Sequence, residues 1–128
     1  MDNIETTELL DKSLELINDE QFEDAYELLK KASKKDPDNI EILKNLGLTL
    51  INLQDFIEAK KIFISVTKKD PDNANAWYYL GSIQEKLDDF NEAIISHKKV
   101  IELRPKYIDA YKALGVLYLK MGRFDELV

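Results

Sequence analysis

The sequence predicts an all-α protein made of repeated antiparallel helix pairs. The string KKDPDN stands at 34–39 and returns at 68–73. Pro37, Pro71 and Pro105 lie 34 residues apart, and so do Gly47, Gly81 and Gly115. Phe22, Phe56, Phe90 and Phe124 keep the same period, as do Ala25, Ala59 and Ala93. Each period holds two apolar patterns at helical spacing, and strand-like alternation is absent. Units of this size cannot each bury an apolar face alone, so they stack.

Taken in order, helices are expected near 6–18, 22–35, 40–53, 56–69, 74–87, 90–103 and 108–121, with an eighth starting at Phe124. The second helix of each pair is amphipathic. In 22–35 the stripe is Phe22, Ala25, Tyr26, Leu28, Leu29 and Ala32, with charge on the other face. Asp55 with Glu58, and Asp89 with Glu92, have capping-box spacing where such helices start. Proline then stops the helix, because its ring restricts the preceding residue and removes an amide. KKDPDN is punctuation between pairs: its lysines suit the negative end of one helix dipole, and Asn39 or Asn73 opens the next helix.

The first helix of each pair is apolar nearly all round. In 40–53 only Glu41, Lys44, Asn45, Thr49 and Asn52 interrupt the apolar residues. Such a helix needs neighbours on several sides. The recurring glycines sit inside these helices, where glycine costs about 1 kcal/mol relative to alanine. Close approach of a neighbouring helix explains them, with Ala25, Ala59 and Ala93 expected as the facing half.

These residues resemble the tetratricopeptide-repeat (TPR) pattern, W-x2-L-G-x2-Y, then A-x3-F, then P. The third unit reads Trp77-x2-Leu80-Gly81-x2-Gln84, then Ala93-x3-His97, then Pro105. The second reads Leu43-x2-Leu46-Gly47-x2-Leu50, Ala59-x3-Phe63 and Pro71, and the fourth reads Tyr111-x2-Leu114-Gly115-x2-Tyr118. The first carries Lys12-Ser13 in place of Leu-Gly, as expected of a solvent-facing end unit. The resemblance implies one TPR domain over 1–128, with repeats about 6–39, 40–73 and 74–107 and a partial fourth over 108–128. It also implies a right-handed superhelical solenoid with Trp77 in the core.

Composition narrows the function. The chain has 128 residues, 45% hydrophobic and 34% charged, with a net charge of -7. That acidity opposes polyphosphate, so nucleic acid is the distant third reading. No cysteine is present, which removes disulfides, thiolate metal sites and cysteine nucleophiles. Neither a secretory signal nor an apolar run of bilayer length is legible, so the expectation is a soluble cytoplasmic protein without a membrane partner. Phosphate loops, dinucleotide fingerprints, zincin motifs and nucleophile elbows are missing, so no enzyme activity, metal or cofactor is expected. His97, the only histidine, is a base or metal ligand on one reading and a polar substitute at a packed aromatic position on the other. With no second histidine or cysteine to complete a site, packing is the better reading. The DPDN strings lack the glycine and further oxygens of a calcium loop.

The resemblance also implies a concave groove lined by the first helices. Carried over by register, the peptide-binding residues are Leu10 and Leu14, Lys44 and Leu48, Asn75, Tyr78 and Ser82, and Lys112 and Val116. Tyr78 is the expected hot spot. Leu10, Leu14, Ile17, Leu48 and Ile51 are apolar, whereas Lys44, Lys86, Lys112 and Lys120 outnumber Glu41, Glu85 and Asp109. This division suits a peptide or helix with apolar anchors at one end and acidic residues at the other. The lysine/asparagine set by which some relatives clamp a C-terminal carboxylate is not reproduced: Lys44 fits, but Leu48 and Tyr79 stand where asparagines are needed, and Asp109 and Ala113 where basic residues are. The leading function is a protein–protein interaction scaffold, and the alternative is self-association or assembly as part of a longer repeat protein. An exposed apolar surface is expected on Ala110, Leu114, Leu117, Tyr118 and Met121, covered by another copy or by further chain, as the C-terminal route to a homo-oligomer.

Overall fold

The computed structural model of the chain describes residues 2–123. Seven helices run α1 (Asp2–Asn18), α2 (Phe22–Lys35), α3 (Ile40–Asn52), α4 (Phe56–Lys69), α5 (Ala74–Lys86), α6 (Phe90–Leu103) and α7 (Ile108–Lys120), with no strand among the described residues. Their ends fall within a residue of the expected ones, except that α1 starts at Asp2 rather than near residue 6. The expected eighth helix, with Phe124 and Leu127, lies outside the described residues.

The chain divides into two compact units, Met1–Lys69 and Asp70–Val128. In the first, α1 pairs with α2 and α3 with α4, and α3 also packs on α2. That double packing explains why α3 is apolar on several sides: Ile42, Leu43, Leu46, Gly47 and Leu50 are all buried. In the second unit α5 pairs with α6, and α7 packs on α6 with a lighter contact to α5. Ala93, Ile94, Leu114, Leu117 and Tyr118 form one buried cluster there, and Ala74, Val100 and Ala110 another.

Every first helix ends in the same turn. Glu20, Gln54, Asp88 and Gly122, again 34 residues apart, adopt left-handed backbone with φ of 58, 62, 62 and 69°. The amides one residue later reach back across the turn, as in Gln21 N to Leu16 O at 2.8 Å, Asp55 N to Leu50 O at 2.9 Å and Asp89 N to Gln84 O at 2.8 Å. This is the Schellman closure, which satisfies the last helical carbonyls and reverses the chain into the antiparallel partner. Glycine is the residue suited to that conformation, and only Gly122 supplies it.

The KKDPDN turns are built twice alike. Asn39 Oδ1 accepts the Ile42 amide at 3.2 Å and Asn73 Oδ1 accepts the Ala76 amide at 3.1 Å. Each asparagine also donates to the first aspartate of its string, Asp36 at 3.0 Å and Asp70 at 3.2 Å. Asp55 Oδ1 accepts the Glu58 amide at 3.3 Å, as the box spacing requires. Asp89 makes no capping bond, and Glu92 accepts from Gln84 at 3.5 Å instead. A polar neighbour inside the unit has taken the box glutamate.

Two packing expectations need correction. The nearest side-chain atoms to the glycines belong to rings, not alanines: a Cβ on Gly47 would stand 2.5 Å from Phe63, and one on Gly81 2.6 Å from His97. The ring of the A-x3-F position fills the notch that glycine leaves. Ser13 at the same position of the first repeat is fully buried rather than solvent-facing, with its hydroxyl donating to Leu9 O at 2.6 Å.

Candidate protein-interaction surface

Each unit holds its own share of the groove residues. In the first, Leu10, Leu14, Lys44 and Leu48 are half-buried on α1 and α3. Lys44 is engaged by Glu41 at 3.5 Å, one turn away. In the second, Asn75, Tyr78 and Ser82 lie on α5 and Lys112 and Val116 on α7. Asn75 and Lys112 are exposed, Val116 is 45% exposed, and Tyr78 and Ser82 are half-buried. The Ser82 hydroxyl donates to the Tyr78 carbonyl at 3.0 Å, so it is turned into its own helix.

Tyr78 is the centre of the second set. Its ring lies 5.3 Å from that of His97, edge-on, 5.3 Å from Tyr107 and 6.1 Å from Tyr79. Aromatic neighbours on several sides hold it in one orientation. Tyr78 is thus a packing residue as well as part of the surface.

Sequence reasoning missed Tyr107. It stands where Asn39 and Asn73 cap their helices, and it makes no capping bond. Its hydroxyl donates to Asn75 Oδ1 at 2.9 Å, tying the start of α7 to the start of α5. Burial, then Tyr79, Tyr78 and Asp109, raise its pKa above the usual tyrosine value. The signal was present in the break from asparagine at that phase, but its target 32 residues back was not.

His97 lies beneath this surface. It is fully buried, and neither ring nitrogen meets a hydrogen-bond partner among the described residues. Burial pulls its pKa down to about 4 against a smaller opposing pull from Glu85. A neutral imidazole in a packed ring position is what the packing reading requires. Trp77 is only half-buried: it packs on the Ala74, Val100 and Ala110 cluster, and its indole N–H donates to Pro71 O at 2.8 Å. Tyr111, one period later, repeats that bond to Pro105 O at 2.7 Å.

The lysine excess is smaller than a count suggests. Lys120 pairs with Glu85 at 2.8 Å, as Lys44 does with Glu41. Lys86 and Lys112 form no ion pair among the described residues and remain as open positive charges. No group of three or more acidic or histidine side chains that could hold a metal occurs among the described residues. No described helix is long and apolar enough to cross a membrane.

Comparison with known families bears on what this geometry serves. Tetratricopeptide-repeat models match residues 16–83 and 74–107. The chain belongs to the tetratricopeptide-repeat family. Among solved structures, the crystal structure of MamA protein is 32% identical, with 95% of this chain and 67% of that one covered at a TM-score of 0.92. A MamA structure from MSR-1 is 29% identical, covering 94% and 69% at 0.87. MamA 41-end from Desulfovibrio magneticus RS-1, at 20% identity, covers 95% and 69% at 0.91 and shows the fold alone. This TPR chain spans about two thirds of the length of those proteins. The curated proteins give no match. TPR repeats support a role in protein interaction, and the departures seen here, His97 for phenylalanine and Gln84 for tyrosine, fall in the packed interior of the third repeat.

Proposed function

We propose that the chain is a protein-interaction scaffold whose first-helix faces hold a peptide or helical segment of another protein. The observation that carries this is the second unit's surface: a ring-clamped Tyr78 on α5, with 45% exposed Val116 on α7 and Lys112, which forms no ion pair among the described residues. A rigid aromatic beside an open cation and an apolar patch suits a partner with apolar anchors and an acidic residue. The first unit offers the half-open Leu10, Leu14 and Leu48 for apolar anchoring, with Lys44 already neutralised. The net charge of -7 sets the reading against nucleic acid. A cytoplasmic setting agrees with the absence of cysteine.

Selection from a displayed random-peptide library tests the reading. Enriched peptides should combine apolar residues with a carboxylate. Lys112→Glu and Val116→Asp should each weaken them about tenfold, Lys112→Glu also flattening the salt dependence. Lys98→Glu, exposed on α6, should leave binding unchanged. Peptides that bind both face variants like the unaltered protein would overturn it.

A further inference from the structure

The three turns between helix pairs share one backbone and differ in chemistry. The Asn39 amide donates to Asp36 O at 3.2 Å, the Asn73 amide to Asp70 O at 3.1 Å and the Tyr107 amide to Arg104 O at 3.1 Å. Proline holds the same place in each, as Pro37, Pro71 and Pro105. Around it the first two turns read Lys-Asp-Pro-Asp-Asn, and the third reads Leu-Arg-Pro-Lys-Tyr. Both acidic residues have become basic, and the flanking lysine and asparagine have become leucine and tyrosine.

The exchange makes a different surface. In the earlier turns charge is met locally: Asn39 donates to Asp36, Asn73 donates to Asp70, and Lys69 pairs with Asp38 at 2.7 Å. Arg104 and Lys106 are exposed and form no ion pair or side-chain hydrogen bond among the described residues. Leu103 and Tyr107 are half-buried and pack on the Ala74, Val100 and Ala110 cluster, which fixes them. With Pro105, these four side chains line an open pocket of about 530 Å³ whose walls are mostly carbon. The apolar opening expected on α7 itself is not there. The expected exposed set, Ala110, Leu114, Leu117, Tyr118 and Met121, is instead the side that packs on α6: the first four are buried and Met121 rests against them.

We infer that the third turn anchors an acidic segment of a partner protein, with one apolar side chain in the pocket and its neighbouring carboxylates on Arg104 and Lys106. Carbon walls favour an apolar side chain. Two unmet positive charges, in a chain of net charge -7, favour carboxylates beside it. A small molecule would need a pocket that closes over most of its surface, and this one is open. The site precedes α7, ahead of Lys112 and Val116 along the chain. It stands whether or not a peptide also lies on the first-helix faces.

Amide NMR shifts of the intact protein test this with short synthetic peptides. N-acetyl-Asp-Leu-Asp amide should move the amides of Leu103, Arg104, Lys106 and Tyr107. The turns 36–39 and 70–73, alike in backbone, should stay still. N-acetyl-Asp-Gly-Asp amide should bind about tenfold more weakly for want of the apolar side chain. N-acetyl-Lys-Leu-Lys amide should move none of these amides, and added salt should weaken the first peptide. Arg104→Asp with Lys106→Asp gives the third turn the charges of the other two, which fold in this same chain, and should abolish the shifts. Arg104→Gln with Lys106→Gln removes charge without reversing it and should also weaken binding, while helical circular dichroism checks both folds. Three turns that move alike, equal shifts from sodium acetate at matched carboxylate concentration, shifts confined to Lys112 and Val116, or undiminished binding by both double variants would overturn the inference.

Discussion

The imidazole of His97 occupies the space that a side chain on Gly81 would need: a Cβ there would stand 2.6 Å from Nε2, 2.8 Å from Cε1 and 2.9 Å from Cδ2. Phe63 stands in the same relation to Gly47 one repeat earlier. The notch therefore accepts a phenyl ring, and His97 carries two nitrogens with no hydrogen-bond partner among the described residues. His97→Phe should raise stability at pH 7 by about 1–2 kcal/mol, since a buried donor without a partner is removed. Denaturant titration measures it, and a loss of stability would show that the third repeat's notch differs in shape from the second's.

The same residue makes stability depend on acidity. The folded pKa is lowered from 6.5 to about 4, so the unfolded chain binds the proton first. Above about pH 6.5 both states are neutral and His97 has no effect. Between 6.5 and 4 the unfolded state is increasingly favoured, by about 3 kcal/mol in all, and below 4 the loss levels off. Melting temperatures at pH 7.5 and 5 should diverge for the natural chain and do so much less for His97→Phe. Equal divergence would assign the acid sensitivity to the carboxylates.

Gly81→Ala should cost about 1–3 kcal/mol by forcing the imidazole out of the notch. Gly122→Ala meets nothing within 4 Å, but its φ of +69° penalises a side chain, for about 1 kcal/mol. In the Gly81→Ala background His97→Ala should recover part of the loss, whereas it should do nothing for Gly122→Ala. Thermal unfolding of the single and double variants separates a steric cause from a backbone one.

Glu20, Gln54 and Asp88 occupy the left-handed position that Gly122 fills. Replacing Gln54 by glycine relieves strain at an exposed turn and should stabilise by up to about 1 kcal/mol despite the added chain entropy. The same change at Ile57, exposed but helical, should destabilise. Chemical denaturation of the two variants gives the sign.

The helix ends were legible because proline, asparagine and the period act within a few residues. The Schellman turn was not, since Glu20, Gln54 and Asp88 do not announce left-handed backbone and only Gly122 hints at its phase. The close approach at glycine was legible, but the ring that fills the notch was not, because spacing along a helix does not say which neighbour points into it. On α7 the pattern showed an excess of apolar residues without showing which side met α6. Of the groove set, register placed the residues, while the Lys120–Glu85 bridge, 35 residues apart, and the Tyr107–Asn75 bond depend on packing that no local pattern encodes.

Gln84 stands where the family pattern has tyrosine, and it is 5% exposed. Its amide oxygen accepts the Ser96 hydroxyl at 2.6 Å, and Ser96 is itself 2% exposed. One repeat earlier the same two positions are Leu50 and Ile62, both apolar. The third repeat has thus exchanged an apolar pair for a hydrogen-bonded one, and the two changes make sense only together. Ser96→Ala alone should cost about 1–3 kcal/mol, because a buried carbonyl loses its donor. Gln84→Leu alone should cost less, since the serine hydroxyl can turn to the carbonyl one helical turn back. The double variant should fall well short of the sum, with a coupling of about 1–2 kcal/mol measured by a thermodynamic cycle in denaturant. Strictly additive losses would mean that each residue is held by the surrounding packing and the bond between them contributes nothing.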